Sequence, residues 1–419
     1  MKVLYIIHQF FPHFCAGTER ITYNIASMVQ KAGNKVKVIT YRVDQSGPIT
    51  GEFNNIKYNE FVYRKVPVIE FSLKSEPANF HINLFNNDVF EYAKKVLRDE
   101  RPDIVHICHP MRSGSFLQAA QELDIPCVVT ITDLMYICPK VTMITMQGDI
   151  CCSARGGKEC NITCPDTGRE NEKRMEMAKN LLLKADAITT PSNFTKNMIR
   201  KQIPELNIDV IKHGLEYPNN AIKSKLYEKN SKIVFGFVGS IQEHKGLHIL
   251  VKAFEEANCP NTQLNIYGGY VGAYGERLVE YVEGNSRIHY FGRFDPIETD
   301  SVYNEIDVLV IPSLWYETYV LVKYEAFIRE IPVIAADIGA LGDGIEHGYN
   351  SYKFSISEID SLRNIIIDIA NNPEQLNEVK KNLGSFYVPT IEQESFQYYS
   401  LYKKCINTHG KKGFERSGN

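Results

Sequence analysis

Short β-branched runs alternate with helical patterns along almost the whole chain, and this alternation constrains the fold more than any other feature. Residues 3–7, 36–40, 104–107, 128–131, 187–190 and 209–212 read as strands of a first series, with helices at 19–31, 89–99 and 115–123 between them. A second series runs through 233–238, 264–267, 288–291, 308–311 and 333–335, with helices at 247–256, 275–283 and 359–369. Alternation at this spacing implies right-handed βαβ units and parallel sheets. At 419 residues the chain exceeds what one core covers, so two doubly wound α/β domains are expected. The polar stretch 216–231 separates the two series and reads as the linker. A cleft between two such domains is the expected ligand site.

Composition removes several function classes. With 44% hydrophobic and 23% charged residues and a net charge of -3, the chain lacks the basic footprint of a nucleic-acid binder. The opening MKVLYIIHQFFP reads as a first core strand rather than a signal peptide, and no apolar run reaches the length of a membrane span. A cytoplasmic protein is expected, with peripheral contact at the inner face of the membrane left open. Residues 170–184 carry Lys173, Arg174, Lys179 and Lys184 beside leucines and methionines, which suits an interfacial basic helix or an amphipathic core helix.

Four segments follow strands at one sheet edge. Ala16-Gly17-Thr18-Glu19 opens a helix, where Gly17 lets a ligand approach the backbone. Gly239-Ser240 and then Glu243-His244-Lys245-Gly246 follow the first strand of the second series, and the Lys245 ammonium could neutralise a diphosphate there. The segment 312–325, PSLWYETYVLVKYE, sets Glu317 and Glu325 with seven residues between them just after the run 308–311. Carboxylates cannot grip phosphate but accept hydrogen bonds from sugar hydroxyls, so the pair beside amide donors suggests a ligand that is phosphate at one end and polyol at the other. Finally, 333–340 is a strand running into the turn at Gly339.

These residues resemble the large family of retaining GT-B glycosyltransferases, family 4 type, through the order Gly17-Thr18-Glu19, FGFVGSIQEHKG (235–246), YFGR (290–293), PSLWYETYVLVKYEA (312–326) and PVIAADIGA (332–340). The resemblance implies a GT-B fold of two Rossmann-like domains facing across a cleft. Residues 1–212, completed by the C-terminal helix 390–419, would form the acceptor side, and 213–389 would bind the donor. It further implies transfer of a hexose-type sugar from a nucleoside-diphosphate sugar to a hydroxyl of a glycan, glycolipid or small molecule, without a catalytic metal, in cell-surface polysaccharide or glycoconjugate synthesis. Glu325 would take the ribose hydroxyls, and Glu317 the transferred sugar beside the amides of Thr318 and Tyr319. Lys245 would stabilise the leaving diphosphate, Gly17 would bring amides to the phosphate, and Ser240 and Arg293 would line the donor site. A non-catalytic sugar-nucleotide-binding protein or partner subunit is the alternative.

The chain departs from the family pattern at Ala16, where many members have glycine, and at TITD (130–133). The family often carries His-Asp at the last two of these positions. Thr132 cannot carry charge, so sugar contacts are rearranged or turnover is reduced. His106 and His109 could compensate, and Asp133 remains a candidate for catalysis or hydroxyl binding. Cys138, Cys151, Cys152, Cys160 and Cys164 fall within one glycine-rich loop. Reduced clustered thiols favour a tetrahedral metal, so Cys138, Cys151, Cys160 and Cys164 are expected to hold structural zinc, with unligated thiols and then an iron–sulfur cluster as alternatives.

Overall fold

The computed structural model describes residues 1–44, 46–168, 170–218, 225–270, 272–295 and 298–417. It divides into two compact units, Met1–Gly214 with Pro389–Asn419, and Leu215–Val388. Of the expected linker 216–231, residues 219–224 lie outside the described residues, as does Gln45 in the loop 45–59.

The first unit contains β1 (Lys2–Ile7), β2 (Lys35–Tyr41), β3 (Gly51–Phe53), β4 (Ile56–Tyr63), β5 (Val66–Leu73), β6 (Ile104–Ile107), β7 (Cys127–Thr130), β8 (Ala187–Thr190) and β9 (Asp209–Val210). They join in the order β3-β4-β5-β2-β1-β6-β7-β8-β9. Strand β1 is central, parallel to both β2 and β6, and its residues Val3 through Ile7 are buried, as expected for a strand covered on both faces. The expectation of parallel sheets fails at one edge. Strands β3, β4 and β5 pair antiparallel, and β5 then joins β2 in parallel. Strand β4, IKYNEFVY, is mostly half-buried or exposed, so it lacks the apolar run that marked the other strands.

The second unit contains β10 (Ile233–Val238), β11 (Thr262–Tyr267), β12 (Ile288–Gly292), β13 (Val308–Ile311), β14 (Val333–Ala336) and β15 (Tyr352–Phe354), in the order β12-β11-β10-β13-β14-β15. Every neighbouring pair is parallel, so the loops after β10, β13 and β14 leave adjacent strands at the same edge.

The last helix, Ile391–Ser417, belongs to the first unit, and buried polar groups fasten it there. Tyr402 Oη lies 2.7 Å from His106 Nδ1, and Thr130 Oγ1 lies 2.6 Å from His106 Nε2. Tyr398 Oη reaches Thr130 and Thr189 at 3.0 and 3.2 Å. Burial pulls the His106 imidazole down to about 3, so it is a neutral core histidine and no substitute for one at position 132. Glu394, with no exposed surface, accepts from His213 Nδ1 at 2.7 Å and from the Gly214 amide at 2.8 Å. Replacing Glu394 with Ala strips two buried donors of their acceptor and is expected to cost about 3 kcal/mol, read as a lower denaturant midpoint. A loss below about 0.5 kcal/mol would contradict this account of the helix anchor.

Candidate functional site

In the second unit the three parallel loops converge on Glu317. Three donors meet at its Oε1: Lys245 Nζ at 2.6 Å, Trp315 Nε1 at 2.7 Å and Ser313 Oγ at 3.1 Å. Among the described residues none of these donors reaches Oε2, whose lone pairs remain available. Burial raises the Glu317 carboxyl, but the charge and hydrogen bond of Lys245, with Trp315 and Ser313, outweigh it, and the net direction is down. Glu317 is therefore an ionised acceptor. The Lys245 ammonium lies 5.2 Å from the Trp315 ring centroid, and the His244 ring packs on the same indole at 4.3 Å.

Backbone contacts set this arrangement. The Leu314 amide donates to the His244 carbonyl at 2.8 Å, tying the loop after β13 to the loop after β10. Gly246 has φ +70°, and a Cβ there would meet the Pro312 carbonyl oxygen at 1.9 Å, so only glycine lets the two loops close. On the other side, the Ala340 amide donates to the Glu317 carbonyl at 3.1 Å. The turn carrying Ala340 is held by Lys323, which is fully buried and donates to the carbonyls of Ala340, Leu341 and Asp343 at 2.9, 3.2 and 2.8 Å. Such a lysine reads from sequence as an ordinary helix residue. Nothing in its neighbours reveals that three carbonyls wait for its ammonium.

The remaining residues of the second unit expected in the donor site follow β10, β12 and β13 of the same sheet. Glu325 is buried and accepts from Tyr303 Oη at 3.0 Å. The Tyr319 ring stacks on Tyr324 at 4.5 Å. Ser240 and Arg293 are exposed, and Arg293 lies over Gly269, where a Cβ would meet its Nε at 2.0 Å. Trp315 and Ser313 were given no role from the sequence, although Trp315, the chain's single tryptophan, stands two residues from Glu317.

The first unit carries a second polar cluster, at the carboxyl ends of β1, β6 and β7. His109 Nε2 hydrogen-bonds Asp133 Oδ2, and the Met135 amide donates to Asp133 Oδ1 at 2.9 Å. The His8 and His109 rings pack at 3.9 Å, tilted by 34°, and His8 Nε2 lies 3.6 Å from Glu19 Oε1. Glu19 is buried, and burial raises its carboxyl. The Thr132 hydroxyl donates to the Cys108 carbonyl at 3.2 Å. The helix Gly17–Lys31 starts after Ala16, which supplies no side-chain cap for its first amides.

One expectation is corrected here. Structural zinc at Cys138, Cys151, Cys160 and Cys164 is not supported, because among the described residues no group of three or more His, Cys, Asp or Glu side chains is placed to hold a metal ion. Burial pushes the Cys138, Cys151 and Cys160 thiols toward the protonated form, Cys160 up to about 12, whereas a ligand must be a thiolate. Other bonds order the loop. Asn171 Nδ2 donates to Asn161 Oδ1 at 3.0 Å and to the Gly168 carbonyl at 2.9 Å. Arg174 donates to the carbonyls of Ile82 and Met135 at 2.7 and 2.5 Å. That buried Arg174 also weakens the interfacial-helix reading of 170–184, and Lys173 and Lys179 are paired with Glu170 and Glu205. Among the described residues no helix is long and apolar enough to cross a membrane.

Comparison with known proteins places both halves. Residues 16–217 match the model described as Glycosyltransferase Family 4, and residues 218–384 match Glycosyl transferases group 1. An uncharacterized glycosyltransferase of Methanocaldococcus jannaschii is 27% identical over 224 residues, 53% of this chain and 57% of the relative, so the match spans little more than half of that protein's length. Glycogen synthase of Mycobacterium tuberculosis is 21% identical over 432 aligned positions, covering 96% of this chain and 95% of the relative. Among solved structures, sucrose-phosphate synthase from Thermosynechococcus elongatus aligns with a TM-score of 0.70 at 18% identity, covering 97% of this chain and 99% of the other. HepE of Anabaena, solved with UDP and glucose, aligns with a TM-score of 0.68 at 16% identity, covering 96% of this chain and 100% of the other. These likenesses establish the GT-B fold.

Two predictions test the site's construction. Lys323→Met removes a donor from three buried carbonyls and is expected to lower unfolding stability by about 3 kcal/mol; an unchanged denaturant midpoint would contradict the anchoring role. Because the folded Glu317 carboxyl sits below its ordinary value of 4.5, its ion pair stabilises the protein above that pH and the contribution fades as pH falls through the folded value. The stability gap between wild type and Glu317→Gln should therefore shrink on acidification below 4.5, and a widening gap would contradict the ion pair.

Proposed function

We propose, since the chain belongs to the GT-B glycosyltransferases of the family 4 and group 1 type, that it moves a hexose-type sugar from a nucleoside-diphosphate sugar to an acceptor hydroxyl with retention of configuration. The observation that carries this reading is the convergence of Lys245, Trp315 and Ser313 on Glu317 Oε1. It holds an ionised carboxylate with Oε2 ready to accept from a sugar hydroxyl, and it sets an ammonium beside it for the diphosphate.

The second unit, Leu215–Val388, binds the donor. Glu325 accepts the ribose hydroxyls, Glu317 the hydroxyls of the transferred sugar with the Thr318 and Tyr319 amides nearby, and Ser240 and Arg293 contact the nucleotide. Lys245 meets the negative charge that builds on the leaving diphosphate, which is the electrostatic work the reaction needs without calling on a catalytic metal. The Glu-x7-Glu pair is a clamp and not an acid with a nucleophile. Glu317 is already ion-paired, which suits it poorly as a proton donor, and Glu325 is buried against Tyr303. The first unit, Met1–Gly214 with Pro389–Asn419, takes the acceptor, and Gly17 contributes helix N-terminal amides to the phosphate. The acceptor's hydroxyl attacks the face the diphosphate leaves, and its proton passes to the leaving phosphate oxygen. Cell-surface polysaccharide or glycoconjugate synthesis is the setting that this chemistry suits.

UDP-glucose is the first donor to test, because the Anabaena neighbour binds UDP and glucose. Wild-type protein should release UDP from UDP-glucose, and Glu317→Ala should lower that rate at least ~100-fold with an unchanged circular dichroism spectrum. Full activity in the folded variant would sink the assignment.

A further inference from the structure

The paired histidines of the first unit have a use beyond packing. The Met111 amide donates to His109 Nδ1 at 3.2 Å, so the ring proton sits on Nε2 and points at Asp133 Oδ2. The His8 ring packs against the His109 ring at 3.9 Å, tilted by 34°, and Ser113 Oγ holds the His109 backbone by donating to its carbonyl at 3.0 Å. The Met135 amide takes the other Asp133 oxygen, so both oxygens are fixed and each keeps a lone pair. Exposure divides the couple: the His109 side chain is 3% exposed and that of Asp133 is 23%. The carboxylate is the accessible partner and the imidazole is buried beside it. Burial pushes the Asp133 carboxyl up, but His109, the Met135 amide and Arg174 outweigh it, and the group is held below its ordinary value.

We infer that His109 is a positioning residue for the transfer, fixing the Asp133 carboxylate so that it accepts a hydrogen bond from the hydroxyl of the incoming acceptor. The inference rests on the transferase reading above. It assigns the first unit a polyol-type acceptor whose hydroxyls donate, and Asp133 orients that hydroxyl without keeping its proton. Aligning an attacking group in this way acts on the chemical step and leaves donor binding alone.

The test uses the full chain with UDP-glucose as donor and water as acceptor. His109→Leu should lower kcat for UDP release by about tenfold or more while KM for UDP-glucose stays within about twofold. His109→Gln, whose amide can still donate to Asp133, should recover most of that loss, and Asp133→Asn should match His109→Leu. Equal kcat in wild type and His109→Leu would overturn the inference, as would a loss that Gln leaves unrelieved while Asp133→Asn keeps the full rate. A second reading needs no turnover: histidine-labelled wild-type protein should show a downfield, slowly exchanging Nε2–H resonance that vanishes in Asp133→Asn. Its absence from wild type overturns the couple even where UDP is released. Its presence in protein that releases no UDP supports the couple and removes the donor reading instead.

Discussion

In a parallel sheet every strand delivers its carboxyl end to the same edge, and the polar groups gathered there have no ladder to satisfy them. Both units of this chain are organised by that constraint. In the second, the loops after β10, β13 and β14 settle it by meeting one another, with Gly246 against Pro312, Leu314 on His244 and Ala340 on Glu317. The result is a rigid frame around one carboxylate, and the frame extends inward to Lys323, a buried cation that donates to three carbonyls of the last loop. The ion pair between Lys245 and Glu317 is thus the visible end of a backbone arrangement, and its orientation follows from that arrangement.

The first unit solves the same problem with side chains. Histidines follow β1 and β6, an aspartate follows β7, and the glutamate of the first helix lies behind them. The contrast in chemistry is informative. The second unit offers an ammonium beside a carboxylate, which suits a ligand with phosphate and hydroxyls together. The first offers carboxylates and imidazole rings, which suit a polyol ligand.

Much of this was legible in the residues. Fully buried strands such as β1 and β13 announce themselves by continuous apolar runs, and the segment 312–325 names its own strand, turn and helix. The β3–β5 edge did not, since a half-exposed strand such as β4 carries no comparable run. Glu317, Lys245 and Asp133 could be placed because each follows a recognisable strand. Lys323, His8 and Glu19 could not, because their partners come from segments that only the fold brings near. Cysteine spacing misled for a related reason: it records where thiols lie along the chain, and it is silent on whether burial keeps them protonated. His106 and His109 look equivalent in sequence, three residues apart, yet one is locked between Thr130 and Tyr402 and the other stands behind Asp133.

The central claim is that Glu317 and Glu325 clamp a nucleotide sugar between them, with Lys245 at its diphosphate. A crystal structure of the protein with UDP-glucose tests it most directly. The account predicts a sugar hydroxyl within about 3.2 Å of Glu317 Oε2, ribose hydroxyls at a similar distance from Glu325, and the Lys245 ammonium on the diphosphate. A donor bound with its ribose away from Glu325, and with Lys245 still paired only to Glu317, would contradict it.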